Sequence, residues 1–493
     1  MSLLQRLRSA AQPALDALDP DVALQLAVGA SIERARSTWP RQPWQRWRPG
    51  EPLRLLLVGY NGTRNTGADV RVQEMVRQLH HVLGDQLALR ILVQDPALTE
   101  GYFPGTHQLT LPQVFPAFLY EQVRDVHGVV ACEGSMFKSR FANALSTLMA
   151  GALGLASAGD KLSMAYGGEA GRMDPGLERF VRRYAADAWV VVRNPESQGV
   201  LKRLGIPSKI GTDTAWSFEP APPEDGAALL RSVGWDGTSP ILTLCPIHPF
   251  WWPVRPDPAR WAAHATLGLH APEHYAGPYF HKGGPEVQHK LDAYLDALAA
   301  AAQPFAARHN AFVLCLGMER LDRGPCEALA QRLGGAAVLS SGEHEMFSLV
   351  SALRHSRWLV SSRYHALVTS MPGGVVSAGV TMDERIRNLM ADRGTPELAL
   401  EVDDPQLASK LTVALNRLHA DAPALRQGIE ATVAKNLLRF GEMGRWLARH
   451  VQGQLPDFPL PDFAGTGSAE AHLPPLSPAL RDLLARHAPG AAP

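Results

Sequence analysis

Twice along this chain, short apolar runs alternate with polar turns and helical segments, and that alternation leaves few folds open. The first series begins at Leu53–Gly59, a continuous apolar run of the kind buried on both faces of a parallel sheet. It continues through Leu87–Gln94, Gly128–Cys132, Lys161–Tyr166, Ala188–Val192 and Ile210–Asp213, with helices ending near Leu83 and Leu204. The second series runs through Pro240–Pro246, Ala311–Leu316, Ala336–Leu339 and Trp358–Val360, separated by helices over 288–308, 324–333 and 345–353. Strand–helix–strand repeats need crossover helices that cover both faces of a parallel sheet. The expected fold is α/β, with two doubly wound, Rossmann-like domains facing each other across a cleft.

Composition sets the boundaries. Residues 1–49 read as a helical N-terminal extension, 50–219 as the first domain, and 220–239 as a linker opening on Pro220-Ala221-Pro222-Pro223. Residues 240–423 read as the second domain with an insertion at 247–285, and 424–455 as an amphipathic helix returning to the first domain. The Pro- and Ala-rich stretch 456–493 is expected as a mobile tail with one short helix over 478–487. Because the first core strand starts only at Leu53, the extension is expected to be dispensable for chemistry. Its basic, aromatic stretch Trp39–Pro49 suits a cap on the first domain better than an anionic lipid surface.

Several function classes are disfavoured. Lys plus Arg equals Asp plus Glu at 48 each, without the basic excess of a nucleic-acid binder. The four cysteines, Cys132, Cys245, Cys315 and Cys326, form no Cys-x-x-Cys and read as small buried apolar groups of a reducing compartment. No apolar run reaches the length of a membrane span, and Asp16, Asp19 and Asp21 interrupt any secretory core. A cytoplasmic protein is expected, without an integral membrane segment, and peripheral contact with the inner membrane face is its variant.

Ser361-Ser362-Arg363-Tyr364-His365-Ala366-Leu367 is the richest stretch, because a strand ends there and a helix starts. Ligands of doubly wound sheets bind at strand carboxyl ends, and a helix N-terminus favours anions. Arg363 offers a planar fork of donors, and His365 moves a proton near neutral pH. Other strand ends present Asn65 and Asp69, Glu133 and Ser135, Glu169, and Arg193. The plain alternative for each is a helix cap, which fits Asp69 and Ser197 well.

In order and spacing, Asn65-Thr66-Gly67, Val129–Ser135, Arg193-Asn194-Pro195-Glu196-Ser197 and Arg363–Leu367 resemble the polysaccharide pyruvyl transferase family. Met382-Asp383-Glu384-Arg385-Ile386 is similar to the family's Asp-x-basic helix start. The resemblance implies a GT-B-like pair of domains and transfer of a ketal-forming pyruvyl group from phosphoenolpyruvate, a co-substrate, to a sugar or glycan. No separate cofactor is implied, and a lipid-linked acceptor is compatible with it. It assigns Arg193 and Arg363 to the donor, with Asn65 and Ser135 beside it. His365 is then the acid that protonates the methylene, and Glu133 or Asp69 the base toward the acceptor.

The resemblance has departures. The family's Gly-rich turn is here Cys132-Glu133-Gly134, which places a carboxylate where backbone alone is usual. The 247–285 insertion carries Trp251, Trp252, Trp261, Tyr275, Tyr279 and Phe280, so Trp251 and Trp252 are expected on an acceptor lip. Its five histidines lack the spacing of a zinc helix, so no metal is expected. Two rival readings remain. One is a GT-B glycosyltransferase using nucleotide-sugars, on the Glu-x7-Glu spacing of Glu319 and Glu327; the other is a degenerate, non-catalytic binding member.

Overall fold

The computed structural model describes residues 19–41, 46–465 and 467–487. In the first half, β1 (Leu53–Val58), β2 (Leu87–Val93), β3 (Thr106–Thr110), β4 (Gly128–Ala131), β5 (Leu162–Gly168), β6 (Trp189–Val192) and β7 (Ser208–Ile210) form one sheet. Its order is β3-β2-β1-β4-β5-β6-β7, with every neighbouring pair parallel. After β8 (Ile241–Cys245), the insertion contributes β9 (Arg255–Pro256), β10 (His274–Ala276) and β11 (Tyr279–Phe280), a small antiparallel sheet of their own. The second half then adds β12 (Phe312–Gly317), β13 (Ala337–Ser340), β14 (Ser356–Ser361), β15 (Val376–Thr381) and β16 (Ala399–Glu401). The second sheet is ordered β13-β12-β8-β14-β15-β16 and is again parallel throughout.

The apolar runs explain both sheets. Leu55, Leu56, Leu57 and Val58 are buried, as is every residue of β5, because helices cover both faces. β3 was not foreseen. Its sequence Thr-His-Gln-Leu-Thr carries no apolar run, and an edge strand with no buried residue needs none.

Three boundary expectations are corrected by packing. Residues 220–239 are more than a linker: the helix Pro223–Ser232 sits so tightly on the helix Met346–Arg354 that a Cβ on Gly226 would lie 2.5 Å from Ser351 Oγ. The stretch 456–493 is no mobile tail over its described part. Phe458, Leu473, Leu480, Leu483 and Leu484 are buried, and Arg77 and His81 hydrogen-bond the carbonyls of Pro475 and Ala471. The first expected helix, over Leu4–Leu18, lies outside the described residues, but the second, Pro20–Thr38, belongs to the core. Its Val28 and Ile32 press on Gly151 and Gly154 of the helix Asn143–Ala158, where a Cβ would meet them at 2.4 and 2.9 Å.

Of the aromatic stretch after that helix, Trp39 and Trp47 pack onto the folded chain. Trp39 is buried and donates from Nε1 to Tyr120 Oη at 3.0 Å, and Trp47 packs edge-on against Phe458. The helix Ala422–Gln454 crosses between halves, with Arg426 donating to Gly374 O and Phe440 O accepting from Gln78.

Candidate functional site

In each sheet the chain reverses its winding between two neighbouring strands, β1 and β4 in the first and β8 and β14 in the second. The turns after such a pair diverge and leave a crevice at the carboxyl edge. Both crevices open on one cavity of about 190 Å³. Tyr60 and Asn65 reach it from the end of β1, and Glu133 and Ser135 from β4. From the facing half come Glu319 after β12, Arg363 after β14 and Arg385 after β15. The insertion closes the wall with Trp252 and Tyr275, which stand 5.8 Å apart edge to face.

The polar groups of this cavity are ordered. Asn65 caps the helix Thr66–Leu83, accepting from Ala68 N at 3.2 Å. Glu133 Oε1 accepts from Ser135 N at 3.2 Å, whereas the buried Glu133 Oε2 has no hydrogen-bond partner. Tyr275 donates to Tyr60 Oη at 2.7 Å, and Tyr60 in turn points at Glu319 Oε1, 3.5 Å away. Arg363 forks onto Asp322 at 2.8 and 2.5 Å and meets Glu319 at 2.5 Å. Burial works against the charge on Arg363, but these two carboxylates outweigh it and raise its pKa. Arg385 lies over the Phe141 ring at 4.9 Å and is held by Asp383, at 2.8 and 3.0 Å.

Four expected site residues lie outside the cavity wall. Trp251 is sandwiched between the rings of His248 and His281, at 4.3 and 4.1 Å. Arg193 points inward, donating to Glu169 at 2.9 Å and to Asp213 at 2.5 Å, with Tyr364 against its guanidinium. His365 faces the same Asp213 at 3.3 Å; burial lowers its pKa, so it is neutral at neutral pH. Its ring rests on Gly67, where a Cβ would come within 2.3 Å of Nδ1, so only glycine admits this contact between the halves. Asp69 is buried in the first turn of its helix with Oδ2 unpartnered, and burial pushes its pKa up to about 8.

Arg193 belongs to an ion-pair network that joins the two halves, and the neutral His365 meets that network at Asp213. Arg71, fully buried, donates to Asp213 and to the carbonyls of Cys132 and Gly167. Lys138 bridges Glu169 of the first half to Glu384 of the second, at 2.8 and 3.2 Å. Burial raises the Glu169 carboxyl, but Arg193 and Lys138 overcome it and hold the pKa at about 2. The charges in this network are matched partner by partner, as buried ions must be.

Tyr60, Tyr275, Glu319 and Arg385 were not among the expected site residues. Tyr60 and Arg385 each follow a strand end by a few positions, the signal that found Glu133. Glu319 was considered only for its spacing to Glu327, which is half exposed and paired with Arg323. Among the described residues, no group of three or more His, Cys, Asp or Glu side chains is placed to hold a metal ion.

No family model matches the chain, and no curated protein matches its sequence. Solved structures do. A protein described as a UDP-N-acetylglucosamine 2-epimerase from Listeria monocytogenes superposes with a TM-score of 0.50 at 9% identity, over 82% of this chain and 97% of that one. The UDP-GlcNAc 2-epimerase of Neisseria meningitidis superposes with a TM-score of 0.47 at 11% identity, over 81% and 100%. At such identity the likeness shows the fold alone: two doubly wound halves across a cleft, the GT-B architecture.

Proposed function

We propose that this chain is a glycan-modifying transferase whose cavity binds an acceptor sugar against Trp252, Tyr275 and Phe141 and activates one of its hydroxyls with Glu133. The observation that carries this reading is the unpartnered Glu133 Oε2 in the cavity wall. A buried carboxylate oxygen without a donor costs free energy, and an arriving hydroxyl is the partner it lacks. Flat rings beside it suit the apolar face of a sugar.

The donor we assign is phosphoenolpyruvate, on the sequence resemblance described above. Arg385, bound by one carboxylate, is the freer of the two cavity arginines to meet an anionic donor; Arg363 is already shared by two. In the reaction, a proton adds to C3 of the enol and the sugar hydroxyl bonds C2, giving up its proton to Glu133. The C2–O bond to phosphate then breaks, and a second hydroxyl closes the ketal as its proton leaves. Asp69 keeps its proton at neutral pH but lies outside the cavity wall, so the proton that C3 takes comes from solvent. His365, neutral and turned to Asp213, positions the interface of the two halves.

Mass spectrometry of oligosaccharides incubated with the protein and phosphoenolpyruvate, with phosphate release followed in parallel, tests this reading. Ketal formation and phosphate in equal amounts support it. Turnover of nucleotide-sugars without phosphoenolpyruvate replaces it with glycosyl transfer.

A further inference from the structure

A second cavity, of about 700 Å³, shares the small insertion sheet as a wall with the first. Arg255 and Pro256 of β9 line it, while Tyr279 of β11, paired with Pro256, lines the first. The Tyr279 hydroxyl joins the two, donating at 2.8 Å to Asp21 Oδ1 in the second wall. Three helices begin at this cavity, Pro20–Thr38, Asn143–Ala158 and Pro175–Tyr184, and their polar groups are not all spent. Asn143 Nδ2 donates to Asp21 and Asp174 at 3.1 and 3.0 Å, which leaves its buried Oδ1 without a partner. Gln25 lines the cavity and is only 8% exposed, yet among the described residues its amide has no hydrogen-bond partner. Its Oε1 sits over Gly176, where a Cβ would stand 3.2 Å away. Asp174 turns its carboxylate to Asn143 and Arg255 instead of capping the helix it precedes, so the first amides of that helix stay uncapped.

We propose that this second cavity binds a neutral, hydroxyl-rich ligand, a sugar unit of a glycan. A buried amide without a partner costs free energy, and a ligand that pairs with it removes that cost. The unspent groups are of both kinds. Asn143 Oδ1 accepts, the uncapped amides donate, and the Gln25 amide does both. A hydroxyl both donates and accepts, so a ligand built of hydroxyls satisfies all three. Ions of either sign fit less well. Arg255 is paired with Asp174 at 2.7 Å and Asp257 with Arg260 at 3.4 Å, so the charges left in the wall are Asp19, Asp21 and Arg179. An anion meets two carboxylates there, and a cation meets Arg179 and the positive ends of helices. Among the described residues, no set of side chains is placed to hold a metal ion. The volume lies in the range of sites for small organic ligands and admits a disaccharide. Resting on the proposed function, the shared wall makes this the seat of a further sugar of the acceptor, beyond the one that is modified.

The test is hydrogen exchange of the full chain, read by mass spectrometry, with lactose, maltose or diacetylchitobiose present and no phosphoenolpyruvate. At least one of these neutral disaccharides should slow exchange saturably in segments 20–26 and 175–180. Gln25→Leu should weaken that protection about tenfold, the worth of one hydrogen-bonded group, at an unchanged thermal midpoint. Arg179→Ala, at an exposed position, should weaken it as well. Protection of these segments by none of the three sugars, or equal protection in both variants, overturns the proposal. So does protection by spermidine or inorganic phosphate in place of the sugars. Turnover of phosphoenolpyruvate is read at the first cavity and is absent from this experiment, so the two readings fail separately.

Discussion

Glu133 lines the cavity and His365 does not, and on the proposed function their variants should differ accordingly. Glu133→Gln should lower kcat about 10²–10⁴-fold with donor binding kept, whereas His365→Asn, outside the cavity, should cost less than about tenfold. Steady-state kinetics of the two variants decide this, and a larger loss in His365→Asn would return the acid role to it. Arg363→Ala leaves Asp322 and Glu319 buried together without their cation. Urea unfolding should show a loss of about 3–5 kcal/mol, recovered in part by adding Asp322→Asn. Asp69 gives a pH signature. Its folded pKa of about 8 lies above the unfolded value near 3.8, so the folded state holds the proton more tightly and loses stability as pH rises between them. Asp69→Asn should therefore gain on the wild type near pH 9 relative to pH 5, and an equal difference at both would contradict the burial of this carboxyl. Strand ends made Asn65, Glu133, Ser135 and Arg363 legible in the sequence as cavity residues, and the aromatic rings of the insertion did so for Trp252. What the sequence could not show is which arginines are already occupied, because Asp213 and Asp322 lie 20 and 41 residues from Arg193 and Arg363.

Parallel strands buried on both faces announce themselves as apolar runs, which is why most strands of both sheets were legible. The elements that sequence reading missed are those whose stabilisation comes from elsewhere. β3 is polar and borrows its partner from β2, and residues 456–487 have the composition of a linker yet bury five large apolar side chains at intervals. A chain ending after Gln454 should expose the surface that Leu473, Leu480 and Leu483 cover. We expect a lower urea midpoint and increased binding of an apolar dye. An unchanged midpoint would show that the segment packs without stabilising. Starting the chain near Pro49 should be equally damaging, because Val28, Ile32 and Trp39 are core residues.

The two halves of the molecule face each other across their switch points, and a cavity made by both has its full set of polar groups only while both are in place. Asn65, Glu133 and Ser135 come from one half, and Glu319, Arg363 and Arg385 from the other. The buried network of Arg71, Lys138, Glu169, Arg193, Asp213, His365 and Glu384 fixes that juxtaposition. The alternation of elements made this architecture legible, but the identity of the donor is carried only by the order of weak motifs. Calorimetric titration of phosphoenolpyruvate into the wild type, Glu133→Gln and Arg385→Ala tests the central claim most directly. Saturable binding of one donor per chain, kept in Glu133→Gln and weakened at least tenfold in Arg385→Ala, is the predicted result. No binding of phosphoenolpyruvate by the wild type, with saturable binding of a nucleotide-sugar in its place, would contradict it.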